Sequence, residues 1–203
     1  KTNLWKNVRG EVLPMPLTKE VADKKTLITR TDGHWTFQGI TDLDEKGNPH
    51  VAITIGKYIS GKRSKSKRMN HYKWNGLEWK ASVNDGLPLG AGDIEVHKAA
   101  NVSFYIAGTN ANGQGEVVRW DSFNGGDKFK RGKVYLTKAK SKFAISSLIE
   151  NPHPDARLIV AQKEPGSDFR KMYLLGDNGP VKRLKSEVLH IKGKDIIPQK
   201  RKQ

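Results

Sequence analysis

The candidate catalytic residues of this chain are histidines, tyrosines, arginines and carboxylates. The chain contains no cysteine. Disulfides, thiolate nucleophiles and cysteine-ligated metals are therefore excluded. Of the six histidines, His34, His97 and His190 are isolated from other ligand-type residues. His153 lies between two prolines, which indicates a role in shaping a loop. No spacing of His, Asp and Glu predicts a metal site, so neither a metal nor a cofactor is expected.

The positions of the carboxylates in the sequence do not identify a functional site. Asp42, Asp44, Asp93 and Glu95 lie near predicted turns, where capping of backbone N–H groups accounts for them. The sequence therefore does not identify a pair of carboxylates for glycoside hydrolysis. The sequence also contains no phosphate-binding glycine loop, Ser–His–Asp spacing or dinucleotide fingerprint.

Positive charge is the most unusual bulk property, since 37 Lys and Arg against 21 Asp and Glu give a net charge of +16. Such a charge attracts polyanions, among them nucleic acids, anionic lipid surfaces and acidic polysaccharides, although it also serves solubility alone. Residues 61–68 concentrate it in a predicted basic loop. This loop suits phosphate, or the sulfate and carboxylate groups of a polysaccharide, or is merely solvated. Arg63, Lys67 and Arg68 are its candidate substrate-binding residues.

The elements that position these residues repeat along the chain. Three segments of about fifty residues each show short apolar runs separated by turns rich in Gly, Asn, Asp and Pro. The runs are rich in β-branched and aromatic residues, and no helical period of comparable strength appears. Each segment is expected to form strand, tight turn, strand, longer loop, strand, turn and strand. Equivalent positions in the three segments are Trp74, Trp120 and Leu174.

This pattern predicts an all-β protein, a β-propeller of four-stranded antiparallel blades, with a β-sandwich as the competing fold. The blades are expected at about 38–82, 83–138 and 139–191. Residues 1–37 are expected to form a partial blade with lead-in strands, and residues 192–203 a basic tail. A closed propeller needs about four to eight blades. The chain is therefore expected to be an incomplete portion, about three to four blades, of a larger propeller.

One turn motif resembles the Asp-box of sialidase-type propellers. Residues 122–129 read Ser-Phe-Asn-Gly-Gly-Asp-Lys-Phe, with Asn124 in place of the usual Asp. A short polar side chain is expected to cap the turn, a glycine to take positive φ, and Phe129 to pack beneath. Such boxes are structural, and the absence of a clear arginine triad and of a Tyr–Glu nucleophile pair argues against a sialidase.

A wider resemblance extends from about Gly39 to Leu184. The ordered motifs DLDEKGNPH, NHYKWNGLEW, SFYIAG, GEVVRWDSFNGG, NPHPDARLIVA and MYLLGDNG are similar to those of the BNR-repeat propellers that include the ulvan lyases. Members that act on ulvan use two histidines on one blade and a tyrosine and an arginine on the next. The resemblance therefore implies a catalytic set, which in this sequence is His50, His71, Tyr105 and Arg119.

These residue types suit β-elimination from a uronic acid. The reaction removes the proton alpha to a carboxylate, so a site must neutralise that carboxylate, supply a base and protonate the departing oxygen. Arg119 is expected to bind the carboxylate, and a neutral histidine to accept the proton. Tyr105 is expected to act as acid, or as base if cations lower its pKa. The base is left open between His50 and His71, and all four side chains are expected to face one cleft.

The function expected is that of a polysaccharide lyase acting on an acidic uronate polymer, sulfated or not, such as ulvan. The alternative is a non-catalytic propeller that binds the same polymer, and nucleic-acid binding is the less favoured third class. No apolar run approaches the roughly 20 residues that cross a bilayer, so no membrane association is expected. The expected location is secreted or periplasmic, and another chain or further blades are expected to complete the propeller.

Overall fold

The computed structural model describes residues 4–82, 86–163, 166 and 170–182, without the side chains of residues 38, 65–67, 144 and 145. The predicted basic tail, the last part of the third predicted blade and the side chain of Lys67 lie outside these residues. The described chain is almost wholly β, as predicted, and contains one short helix.

In the described part of the chain, twelve strands form three antiparallel sheets of four strands, each with its strands in chain order. The first sheet contains β1 (Trp35–Leu43), β2 (Pro49–Ile59), β3 (Lys62–Trp74) and β4 (Trp79–Ala81). The second contains β5 (Ala91–Lys98), β6 (Asn101–Thr109), β7 (Gly115–Ser122) and β8 (Lys130–Lys138). The third contains β9 (Lys142–His153), β10 (Ala156–Lys163), β11 (Arg170–Gly176) and β12 (Gly179–Pro180).

The second sheet lies between the other two. In β2 buried and less buried residues alternate, because one face of that strand packs on a core, whereas residues 102–107 of β6 are all buried. Phe104 and Ile106 pack with Ala52 and Met69 of the first sheet. From the opposite face of β6, Tyr105 and Ala107 pack with the third sheet, in a core that includes Leu158, Val160 and Leu175.

Two equivalent hydrogen bonds connect successive sheets. The Asp42 carboxylate on β1 accepts from the backbone N–H of Val96 on β5 at 2.7 Å. The Asp93 carboxylate on β5 accepts from the N–H of Leu148 on β9 at 3.0 Å. Both acids therefore join first strands of neighbouring sheets, and the prediction that they only cap turns is wrong. Asp44 does cap its turn, by accepting from the N–H groups of Lys46 and Asn48.

The segment before β1 differs from the expected strands. It contains an isolated bridge between Lys6 and Val12 and the helix α1 (Lys19–Lys25). Thr18 caps the helix by accepting from the N–H of Val21, so local capping outweighs the strand-like composition of this segment. The first sheet begins at Trp35, inside the segment assigned to the partial blade. Within the described residues no helix is long and apolar enough to span a membrane.

The turn at residues 122–129 has the geometry that its sequence predicts. The Ser122 hydroxyl donates to the Asn124 side chain at 2.7 Å and accepts from the N–H of Gly126 at 2.9 Å. Gly125 and Gly126 both have positive φ. Phe129 is buried beneath the turn, where it packs edge-on against Phe104. Asn124 thus performs the capping expected of the usual aspartate.

The basic run of residues 61–68 is not a loop. Ser60 and Gly61 both have positive φ, and Ile59 pairs with Lys62 directly across them. This is the geometry of a tight hairpin whose twist matches that of its strands, so β3 already begins at Lys62. The Arg63 guanidinium lies over the Trp35 ring, 5.6 Å from its centre. Arg63 and Arg68 therefore belong to a strand and not to a loop.

Candidate active site

His50 on β2 and His71 on β3 form a buried pair between the first and second sheets. The Nδ1 of His50 and the Nε2 of His71 share a hydrogen bond of 3.1 Å, and the Nδ1 of His71 is bonded to the Ser82 hydroxyl at 2.9 Å. The His71 ring packs edge-on against Phe104 and Phe129. Both nitrogens of His71 are thus engaged, which leaves it no free lone pair to accept a proton from a substrate.

Burial also sets the charge of this pair. It lowers the pKa of His71 to about 3, and the neighbouring His50 and Lys73 act in the same direction. Burial lowers the pKa of His50 as well, although the Asp44 carboxylate opposes the shift. At neutral pH both imidazoles are therefore neutral. The exposed fraction is 1% for His50 and 0% for His71, so neither presents its ring to a polymer in solution.

Tyr105 and Arg119 form a second pair, between the second and third sheets. They lie directly opposite each other on β6 and β7. The Tyr105 hydroxyl donates to the Glu95 carboxylate at 2.6 Å. The Nε of Arg119 donates to the Asp121 carboxylate at 3.0 Å, and that carboxylate also accepts from the Ser103 hydroxyl at 2.8 Å. Glu95, Ser103 and Asp121 form one row across the sheet.

The third sheet adds charged groups to the same region. The Arg157 guanidinium binds the Asp177 carboxylate at 2.7 Å and lies 3.6 Å from Glu95. The Tyr105 and Tyr135 rings are 5.9 Å apart between their centres. We call Glu95, His97, Tyr105, Arg119, Tyr135, Arg157 and Asp177 the inter-sheet cluster.

The inter-sheet cluster combines buried phenols with partly exposed charges. Tyr105 is 1% exposed, whereas the side chain of Arg119 is 36% exposed and that of Glu95 is 24% exposed. Burial raises the pKa of Tyr105, and the bond to Glu95 raises it further, so the phenol stays protonated at neutral pH. Burial works to lower the pKa of Arg119, but Asp121 outweighs it and the net shift is upward.

The expectation of one cleft for His50, His71, Tyr105 and Arg119 is therefore wrong. Successive residues of a strand point to opposite faces, so Phe104 faces the histidine pair while Tyr105 faces the third sheet. The backbone of the second sheet separates the two pairs. The structure brings His50 to His71 and Tyr105 to Arg119, but it does not join the pairs.

The two pairs are nevertheless equivalent in their own sheets. His50 lies opposite Asp42 and Lys73, and Tyr105 lies opposite Asp93 and Arg119. Because Asp42 and Asp93 make the same contact with the next sheet, His50 and Tyr105 occupy corresponding places. Each faces the gap between its own sheet and the following one.

Arg63 and Arg68 lie on the basic hairpin, towards the start of β3 and away from the part of this strand that corresponds to the inter-sheet cluster. Lys73 corresponds to Arg119 in register, and ten residues separate it from Arg63 along β3. At about 3.3 Å per residue this is roughly 33 Å of strand. Arg63 cannot contact a sugar ring that Arg119 binds, and the substrate-binding role of the hairpin stays a prediction.

Sequence reasoning missed Glu95, His97, Tyr135 and Arg157. One signal was present: Asp93, Glu95 and His97 alternate with Ile94 and Val96, which places three titratable side chains on one face of a strand. Tyr135 and Arg157 come from β8 and β10, and only the packing of the third sheet brings them near. Among the described residues no group of three or more His, Asp and Glu side chains is arranged to hold a metal.

Solved structures with the same fold are polysaccharide lyases. The chain matches a structure described as a PL25 ulvan lyase with a TM-score of 0.80 and 38% identity, over 90% of this chain and 42% of the other. A second structure, described as bound to -[GlcA(1-4)Rha3S]-, matches with a TM-score of 0.79 and 37% identity, again over 90% of this chain and 42% of the other.

Curated proteins with similar sequences are ulvan lyases. The chain is 57% identical to the ulvan lyase of Nonlabens ulvanivorans, over 92% of this chain and 40% of that protein. It is 40% identical to the ulvan lyase of Alteromonas sp. (strain LOR), over 93% of this chain and 39% of that protein. No family model matches the sequence. The chain is thus related to the ulvan lyases and spans about two fifths of their length.

Proposed function

We propose that this chain is part of a polysaccharide lyase that cleaves an acidic, uronate-containing polysaccharide of the ulvan type by β-elimination. The observation that carries the proposal is the 57% identity to an ulvan lyase along nearly the whole chain. The structural match to a related enzyme described with a bound -[GlcA(1-4)Rha3S]- supports an acidic sugar as the ligand. The high positive charge favours such a polymer as well.

The inter-sheet cluster is the proposed place of reaction. The Asp121 bond uses the Nε of Arg119, while the partly exposed guanidinium end can bind a uronate carboxylate as a planar fork. The protonated Tyr105 phenol suits the acid that protonates the departing oxygen. Because Tyr105 is nearly wholly buried, it can serve only a sugar ring seated directly against the Glu95 side chain.

We propose further that the three sheets are blades of a larger BNR-repeat propeller. The equivalent contacts of Asp42 and Asp93 repeat one sheet-to-sheet arrangement along the chain. The third sheet leaves Ile159, Met172 and Leu174 exposed by 42%, 58% and 39%. An apolar face of this kind favours a partner, and a following sheet of the same type, from further blades or from another chain, would cover it.

A non-catalytic propeller that binds the same polymer is the second candidate. The nearly complete burial of Tyr105 favours it, because a phenol that cannot reach a sugar cannot protonate one. The basic hairpin would then supply the contacts, through Arg63 and Arg68 with the Lys67 of the same run. Either protein would meet an extended polymer outside the cytoplasm, so we propose a secreted or periplasmic location. Nucleic acid remains the less favoured polyanion.

Incubation with ulvan separates these functions. A lyase releases an unsaturated uronate, whose conjugated double bond absorbs in the ultraviolet, so absorbance is expected to rise steadily and the polymer to shorten. A binding protein would be retained by the polymer without any rise in absorbance. Tight retention by DNA or RNA, lost steeply with salt, together with no product from ulvan, would favour the nucleic-acid function instead.

A further inference from the structure

The histidines differ sharply in their access to solvent. His50 and His71 are buried, and His34 is partly buried with its Nδ1 bonded to the Thr31 carbonyl at 2.6 Å. The side chain of His97 is 48% exposed and that of His153 is 73% exposed. Among the described residues, therefore, only His97 and His153 have an imidazole ring that is about half exposed or more.

His97 belongs to the inter-sheet cluster. Its Nε2 lies 3.5 Å from the Glu95 carboxylate oxygen that accepts from the Tyr105 hydroxyl. The other oxygen of Glu95 lies 3.6 Å from Arg157. One carboxylate thus brings an exposed imidazole, a phenol and a guanidinium together. His153, by contrast, lies near Asp155 in the connection between β9 and β10.

The backbone at His97 is irregular, because the register between β5 and β6 shifts at this residue. Val96 pairs with Val102 and Lys98 pairs with Asn101, which leaves His97 as the extra residue of a β-bulge. Bulges bend a strand and re-aim side chains, and they are over-represented beside active sites.

We propose that His97, oriented by Glu95, is the imidazole base of the lyase reaction. The inference rests on the proposed function. His97 takes the proton from the carbon alpha to the uronate carboxylate, and the electron pair of that C–H bond forms the new carbon–carbon double bond. The bond from the β-carbon to the glycosidic oxygen breaks, and that oxygen takes the Tyr105 proton. The imidazolium then returns a proton to the phenolate, so both groups are restored.

Replacing His97 with alanine tests this role, with His153→Ala as the matched control because it removes an exposed histidine beside an acid. We expect His97→Ala to lower kcat on ulvan by about a hundredfold or more, the usual contribution of a positioned base. Free imidazole added to the solution should restore part of that activity. His153→Ala should keep the wild-type rate and gain nothing from imidazole.

The outcomes separate this inference from the proposed function. Absence of product from the wild-type protein would defeat the lyase proposal itself. If the wild type is active and His97→Ala keeps its rate, His97 is not the base. A slow His97→Ala that imidazole does not restore would also overturn the role, because the histidine would then only support the structure. His97→Gln, which keeps a polar side chain beside Glu95 but fills the space that imidazole would occupy, should be as slow as the alanine variant and gain less from added imidazole.

Discussion

Arg119→Ala is expected to reduce the release of unsaturated product from ulvan by about a hundredfold to a thousandfold, the range seen when one group that stabilises developing charge is removed. Proton removal beside the uronate carboxylate places further negative charge on that group. Arg119 is the cation best placed to stabilise this charge, because its side chain is 36% exposed and binds Asp121 through Nε alone. The Arg157 side chain is 19% exposed and binds Asp177 through both Nε and an amino nitrogen. The rate of absorbance increase at saturating substrate measures the effect.

Two further variants show whether the geometry of Arg119 matters as well as its charge. Arg119→Lys keeps the charge but loses the planar fork, so an intermediate rate is expected. Arg131→Ala is the matched control, because Arg131 also pairs with an acid of the second sheet, Glu116, at 2.7 Å. It should keep the wild-type rate. Normal turnover by a folded Arg119→Ala protein would contradict the proposed carboxylate site.

Acid is expected to destabilise the fold through the histidine pair. The unfolded chain binds a proton on His71 below its ordinary pKa of 6.5, whereas burial lowers the pKa in the folded protein to about 3. The contribution of the neutral pair to the stability of the fold is therefore fully present above pH 6.5, and it is lost as the pH falls from 6.5 towards 3. For His71 alone, each pH unit in that window costs about 1.4 kcal/mol of the free energy of unfolding.

The free energy of unfolding measured with urea should therefore be roughly 2 to 3 kcal/mol lower at about pH 4.5 than at about pH 7. His50, whose pKa is also lowered, adds to this loss. Asp44 and Asp177 have lowered pKa values, but their ordinary value is 3.8, so they act mainly at a lower pH than the two compared here. His71→Gln should be less stable at neutral pH and less sensitive to acid. His153→Ala should keep the wild-type slope. Equal stability at both pH values would contradict the account of a buried neutral pair.

Much of the fold could be predicted because its turns are determined by a few neighbouring residues. Gly and Asn at the tight turns set the strand boundaries, and the capping at Ser122 and Asn124 follows from residue type alone. The segment before Trp35 contains a helix where only strands were expected, because a capped helix of seven residues leaves a weak periodic signal. The basic hairpin was read as a loop because Ser60-Gly61 was not recognised as a tight turn.

The candidate site was harder to predict because it depends on which face of each strand meets which sheet. Alternation alone implies that Phe104 and Tyr105 point apart, but not that the histidine pair lies on the Phe104 side. Capping near a turn accounted for Glu95, and His97 is isolated in the sequence from other ligand-type residues, so neither was expected at a site. Arg157 enters the cluster from the third sheet, about sixty residues further along the chain, and no local pattern specifies that contact.

The location of the acidic sugar tests the central claim most directly. A structure of the Arg119→Ala or His97→Ala variant soaked with a short ulvan oligosaccharide should show a uronate ring against Glu95, between the second and third sheets. Its carboxylate should face residue 119 and its alpha carbon should face residue 97. An oligosaccharide bound instead along the basic hairpin, or beside the His50–His71 pair, would contradict the inter-sheet cluster as the place of reaction.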